Sequence, residues 1–292
     1  MPYEVIIFYK YTSVSDPTGF MNWIRTLCES LEMKGRILIA HEGINGSVEG
    51  TREQLDQFKS SLHQTTFGDF QDLWFKASPG TGTAFRKLKI KVRPHILNIG
   101  LEGDADIDPN QTTGTHIEPE ELHTWFTNGE DFAIIDMRND YELSVGRFKG
   151  SIDPGMRNFR DLKEIVPNLE HLKGKKILTV CTYGVRCEKA SGLLLNEGFD
   201  QVHQLHGGIG TYMKKYPGQN FEGSLYVFDE RMTEQFTDDY EVIGVCTGCA
   251  TTSERFGNCA WSACHKQLII CETCDPRVIW CSDTCKQSMP QS

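Results

Sequence analysis

The residues best suited to chemistry in this 292-residue chain are Cys181-Thr-Tyr-Gly-Val-Arg186-Cys187. They stand between an apolar β-type run, residues 176–182, and a helical stretch that begins near Cys187. Gly184 lets the loop curl tightly, and Thr182, Tyr183 and Val185 complete it. Loop N–H groups, a helix N-terminus and the Arg186 guanidinium can then converge on one anion. A Cys181 thiolate is that anion, and lowering its pKa makes it a nucleophile at neutral pH. A buried structural cysteine is the competing reading, but it needs neither Gly nor Arg at these offsets. Four residues separate Cys181 from Arg186, a short cradle that suits one extra sulfur, a persulfide, better than a phosphate. Cys187 either resolves a persulfide or disulfide on Cys181 or packs on the buried side of the helix. Asp136 and Arg138, at the end of the apolar run 132–137, are expected to pair and hold the cradle.

Eight of the eleven cysteines fall in four tight pairs: Cys246/Cys249, Cys259/Cys264, Cys271/Cys274 and Cys281/Cys285. Four thiolates bind a structural zinc ion tetrahedrally, so eight suggest two ions. Two pairings are open, consecutive or alternating. The alternating form lets residues 268–270 run between the ions and pack with Trp280, giving a coreless tail a centre. His265 reads as a bystander.

These groups must be carried by a scaffold. Residues 1–95 read as β-α-β-β-α-β, a ferredoxin-like α+β unit, with Thr51 and Gln54 forming a capping box. In the run 85–93, Leu88, Ile90 and Val92 alternate with Lys87, Lys89, Lys91 and Arg93. With Arg86 beside them, those cations are either a solvated face that discourages edge pairing or a grip on a phosphate backbone. Residues 96–117 read as a linker. Residues 118–223 alternate strands and helices, which indicates an α/β unit whose parallel sheet has helices on both faces. Residues 224–292 form the Cys-rich tail. The net charge of −10 argues against a protein that coats nucleic acid by charge alone. Residues 1–95, 96–223 and 224–292 carry +2, −7 and −5, so a polyanion would meet the first stretch. No apolar run reaches the roughly 18 residues of a membrane span. With no export signal read at the N-terminus, the cysteines point to the cytosol.

Asp136-Met-Arg138, Glu142, Gly146, Phe148-Lys-Gly-Ser151, Cys181–Arg186 and His206-Gly-Gly-Ile209 resemble the successive motifs of a rhodanese domain. Adding His41-Glu-Gly-Ile-Asn-Gly46, Val227-Phe-Asp-Glu-Arg231 and the Cys-rich tail, the whole chain resembles the rhodanese-containing tRNA uridine hydroxylases. That family's loop has Gly where this chain has Tyr183. The resemblance implies oxygen-dependent formation of 5-hydroxyuridine at the tRNA wobble position, with Cys181 as the persulfide-type catalytic residue. It makes tRNA the partner and O2 a co-substrate, while the electron donor goes unnamed. The residues themselves show a thiolate cradle, with no recognisable iron triad or dinucleotide fingerprint. Two other readings stay open: a sulfurtransferase that passes persulfide sulfur to an acceptor, and a non-catalytic RNA or protein adaptor.

Overall fold

A computed structural model describes residues 2–101 and 106–288. The first unit runs β1 (Tyr3–Tyr11), α1 (Pro17–Ser30), β2 (Lys34–Ala40), β3 (Gly43–Thr51), α2 (Arg52–Gln64), β4 (Phe75–Pro79) and β5 (Leu88–Val92). Its sheet order is β4-β1-β3-β2-β5. All neighbours are antiparallel except β2 and β5, which run parallel. Side chains alternate across a strand, so Ile6 and Phe8 of β1 meet Phe20, Ile24 and Cys28 of α1 and Leu55, Phe58 and Leu62 of α2. Both bonds of the Thr51–Gln54 capping box form. The other sheet face, free of these two helices, carries Tyr9, Lys76, Arg36 and Lys89. The expected strand over 85–93 is narrower than its apolar pattern, because Phe85 packs with Val5 and Ala84 instead of joining the ladder. Glu49 holds the preceding loop by accepting the N–H groups of Thr81, Gly82 and Ala84 at 2.7–2.8 Å.

The second unit runs β6 (Thr115–Ile117), α3 (Pro119–Asn128), β7 (Ala133–Asp136), α4 (Asp140–Leu143), β8 (Gly146–Phe148), α5 (Leu162–Ile165), β9 (Lys176–Val180), α6 (Val185–Asn196), β10 (Gln201–Leu205), α7 (Gly208–Lys215) and β11 (Phe221–Gly223). Strands β6-β10-β9-β7 form a parallel sheet. Successive residues of β9 serve opposite cores: Ile177 packs with Leu162, Leu193 and Leu194, and Leu178 with Leu122, Trp125 and Tyr212. Helices therefore cover both faces, as the apolar strands require.

The segment 96–117, expected as a linker, is built into this unit. Ile99, Leu101 and Ile107 lie in the α6-side core, and Thr115–Ile117 is an edge strand of the sheet. The Gly114 N–H donates to Ser191 Oγ at 2.7 Å. Apolar residues scattered among Gly and Asp carry no periodicity, and a three-residue parallel strand leaves little trace in a sequence. Residues 102–105 of the segment lie outside the described residues.

The tail adds β12 (Leu225–Tyr226), β13 (Thr233–Glu234), β14 (Phe256–Asn258), β15 (Gln267–Ile269) and α8 (Asp283–Gln287). It is attached to both other units. Arg231, held by Asp229, donates to Ser78 Oγ at 2.9 Å and to the Pro79 carbonyl at 2.7 Å on β4. Ile269 packs with Val145 and Tyr226. The first and second units are joined by Lys189, fully buried, whose ammonium donates to Glu42 at 2.8 Å and Asp106 at 2.7 Å. Removing one member of such a buried ion pair costs about 3–5 kcal/mol, because it strands the other charge.

Candidate active site and metal centres

Cys181 follows β9 directly, and its loop ends at the N-terminus of α6. Gly184 caps that helix at φ +102°, a left-handed conformation that favours glycine. A Cβ there would also lie 2.7 Å from the Tyr9 hydroxyl. The Gly184 N–H donates to Cys181 Sγ at 3.1 Å. The sulfur is almost wholly buried, at 1% exposure for the residue. Burial opposes ionisation. The Cys187 thiol, the Arg186 charge and the N–H groups of Arg186 and Cys187 outweigh it and lower the Cys181 pKa to about 6. Burial and its neighbour Cys181 push the Cys187 thiol up, so it remains the protonated donor of the pair. Cys187 therefore both packs in the core and acts on the Cys181 sulfur electrostatically.

Arg186 serves the site differently from the expectation that its guanidinium closes on the anion. Its two terminal nitrogens grip the fully buried Glu142 at 2.5 and 2.8 Å, and one also reaches Thr182 Oγ1 at 3.1 Å. A planar guanidinium fork matches a carboxylate in this bidentate way, and a buried carboxylate needs that compensation. Glu142 also accepts the Asn139 N–H at 3.0 Å, which fixes α4 against the loop. The Asp136–Arg138 pair forms with no exposure, at 2.9 and 2.6 Å, and Arg138 reaches on to the Gly146 carbonyl at 2.7 Å. Tyr183, the departure from the family loop, lies against Gly210, where a Cβ would be 2.4 Å from its ring. Its hydroxyl donates to Glu234 of β13 at 3.0 Å, so the loop is tied to the tail.

The first unit closes over this loop with residues that sequence reasoning passed over. Tyr9 donates to Glu188 at 3.0 Å, and Glu188 also meets His116 at 3.1 Å. Burial raises the Glu188 carboxyl, but His116, Tyr9 and Thr113 hold it below its ordinary value. Lys76 is buried between the rings of Tyr9 and Trp74, with its nitrogen 4.5 and 4.4 Å from their centres. Trp74 is in turn 4.9 Å from His206, which pairs with Glu118 at 2.7 Å. His206 was legible as part of a motif. Trp74 and Lys76, in an ordinary-looking strand, carried no such signal.

The basic residues lie elsewhere. Strand β5 is at the opposite sheet edge from β4, four strand spacings or roughly 19 Å away. Arg86 is engaged with Glu230 at 2.9 Å, and Arg93 bonds the Val92 carbonyl at 3.1 Å. Lys89, Arg93 and Lys87 together lower the Lys91 pKa, which places the four cations close to one another in an exposed group. They connect to the site through the sheet register: Lys76 opposes Ile7, Ile7 opposes Ser47, Ser47 opposes Arg36, and Arg36 opposes Lys89. Opposed residues share a face, so one row crosses the sheet from the cleft to the basic edge.

The tail cysteines group in the alternating arrangement, Cys246/Cys249/Cys271/Cys274 and Cys259/Cys264/Cys281/Cys285, each set of sulfurs within 4.8 Å. Sulfur–sulfur distances of 3.4–3.6 Å approach the edge of about 3.8 Å for a tetrahedron of 2.3 Å metal–sulfur bonds. Backbone N–H groups of Gly248 and Cys271 point at Cys246 Sγ at 3.4 and 3.3 Å, as they would at a thiolate. Both sets fit a tetrahedral thiophilic ion. Leu268 and Ile270 pack with Trp280 beside the second set. A third group, Glu42, His95 and Asp106, is already compensated by the Lys189 ammonium.

Alkylation of the Cys181 peptide, followed by mass spectrometry across pH, is expected to inflect near about 6. Cys187→Ala should move the inflection upward by removing a donor. A wild-type inflection at or above the free-thiol value of about 8.5 would contradict an activating cradle. The same depression makes the ionised Cys181 stabilising above about pH 8.5, a contribution lost as pH falls through about 6.

Three family models cover the chain. The UPF0176 acylphosphatase like domain matches residues 3–96, the Rhodanese-like domain 118–215, and Rhodanase C-terminal 222–286. Curated relatives named tRNA uridine(34) hydroxylase match along nearly the whole length. The protein of Cytophaga hutchinsonii is 40% identical, covering 97% of this chain and 90% of its own. That of Enterococcus faecalis is 41% identical over 98% and 91%, and that of Bacillus licheniformis 42% over 97% and 88%. With this identity sustained through all three units, the chain belongs to the tRNA uridine(34) hydroxylase family.

Proposed function

We propose that this protein hydroxylates the wobble uridine of tRNA at C5, with Cys181 as its nucleophile and O2 as the oxidant. The observation that carries this reading is the buried cysteine held ionised near neutral pH by Cys187, Arg186 and loop N–H groups. C6 of uridine is electrophilic, and addition of the thiolate there makes C5 nucleophilic towards an oxidant. One oxygen atom then ends on C5 and the other leaves as water, with two electrons drawn from a donor. Loss of the C5 proton and release of the thiolate restore the aromatic base and the enzyme. Asp136–Arg138 and Glu142–Arg186 serve as positioning pairs for the loop. The cytosol fits this reading, since it supplies tRNA and keeps the cysteines reduced.

The test is the nucleoside content of tRNA incubated with protein, O2 and a reductant. An added oxygen on uridine, lost in Cys181→Ser, is the expected result. An added sulfur would replace hydroxylation by sulfur transfer, and an active Cys181→Ser would end the role of the thiolate.

The tRNA is proposed to approach over Arg86, Lys87, Lys89, Lys91 and Arg93 and cross the sheet face by way of Arg36. Lys89→Glu with Lys91→Glu should weaken tRNA binding and flatten its salt dependence by about two units of slope at most. Unchanged binding and slope would place the RNA elsewhere.

The two cysteine sets are proposed to hold structural zinc. Metal analysis should find about two ions per chain, at four thiolates each. Chelation should unfold the tail while Cys181 keeps its alkylation profile. A stoichiometry of one would refute the two-site reading.

A further inference from the structure

Lys76 and Trp74 have no role in holding the cradle, yet they occupy the cleft beside it. Lys76 is buried at 6% exposure, and among the described residues no carboxylate pairs with it. Its nitrogen instead faces the rings of Tyr9 and Trp74. The charges that offset it, Cys181 and Glu188, act on it without a hydrogen bond, so burial leaves the ammonium under-compensated and a ready partner for an oxygen that arrives with a ligand. Trp74 shows the complementary anomaly: a large apolar ring, 42% exposed, at the junction of two units. One edge of the indole lies against Gly207, where a Cβ would be 2.6 Å from it. Gly208, the next residue, sits where a Cβ would be 2.6 Å from the Cys181 carbonyl oxygen. The exposed ring is thus two residues from backbone that touches the nucleophile.

We propose that Trp74 and Lys76 seat the target pyrimidine at the mouth of the Cys181 site, the base stacking on the indole and the ammonium donating to the oxygen on C4. This inference rests on the proposed reaction with uridine. Stacking on an aromatic side chain suits a base drawn out of a single-stranded loop, where unstacking costs least. The ammonium supplies what the indole lacks, a donor that prefers a carbonyl oxygen gaining negative charge, as C4–O does when a nucleophile adds at C6. The groups facing Lys76 are Tyr9 from β1, Trp74 from the approach to β4, Cys181, Glu188 from α6 and Lys214 from α7. Burial lowers the Lys76 pKa to about 8 against the opposing pull of the Cys181 and Glu188 charges. The seat therefore loses its charge as pH rises through that value.

The experiment compares binding of two fluorescein-labelled anticodon stem-loops, one with uridine at position 34 and one abasic there, by anisotropy. Trp74→Ala should weaken the uridine RNA roughly tenfold, within the range for one base–aromatic stack, and leave the abasic RNA unchanged. Trp74→Phe should recover most of the loss. An equal loss on both RNAs, or no loss on either, would overturn the seat. Trp74→Leu, which keeps apolar volume at Gly207, replaces the alanine variant if that one fails to fold. For Lys76, the wild-type kcat should fall above about pH 8, and Lys76→Arg should remove that limb while Lys76→Met lowers kcat throughout. A limb unchanged in Lys76→Arg would overturn the part assigned to the ammonium. If the wild type forms no oxidised nucleoside, the functional reading fails alone, because the paired binding measurement still decides the seat.

Discussion

A negative sulfur inside protein is the constraint on which the rest of this molecule depends. A thiolate at Cys181 has left water behind, and that loss raises its energy unless fixed donors replace the solvent. Gly184 at positive φ turns an N–H onto the sulfur, and the start of α6 directs two more. Those donors work only if the loop cannot relax, and two buried ion pairs see to that. Glu142–Arg186 binds the helix start to α4, while Asp136–Arg138 binds the end of β7 to Gly146. The Arg186 charge thus does double duty, pairing a carboxylate while still lowering the thiol pKa.

Because Arg186 is occupied by Glu142, the space above the sulfur is shaped by the first unit instead. Tyr9 rests on Gly184 and is committed to Glu188, which His116 also holds. Lys189, one residue on from Glu188, fastens the same helix to Glu42 and Asp106. Helix α6 therefore has the Cys181 loop at its N-terminus and the domain junction along its first two turns. The junction residues thus sit on the same helix whose first turn supplies donors to Cys181.

Much of this was readable in the residues, and the failures have physical causes. The Cys181 loop, the four cysteine pairs and the amphipathic strands and helices each carry a local signature of spacing, while the choice of the alternating grouping over the consecutive one is made by the fold. The segment 96–117 looks like a linker in sequence because Ile99, Leu101 and Ile107 are buried by tertiary contact alone, with no period to announce it. The direction of the Arg186 fork depended on Glu142, forty-four residues away, and its proximity is set by the fold. Trp74 and Lys76 were invisible for the same reason. Their surroundings come from a second unit packed beside a strand that looks unremarkable in isolation.

The tail gives this arrangement its final condition. Arg231 grips β4 through Ser78 and Pro79, immediately beyond Lys76, while Glu234 holds the cradle through Tyr183. Both anchors come from one short hairpin between β12 and β13. The hairpin thus spans the cleft, touching the strand that carries Lys76 on one side and the Cys181 loop on the other. Farther along, Arg157 of the second unit donates to the Cys264 carbonyl at 3.0 Å, and Lys266 pairs with Asp140 at 2.9 Å, just before Glu142. The cysteine sets have too little apolar core of their own to hold this segment in place, so whatever ion they bind supplies folding free energy to it. The donors to Cys181 come from its own loop and the start of α6, so the fold of the tail bears on what lies across the cleft and not on the ionisation of the thiol.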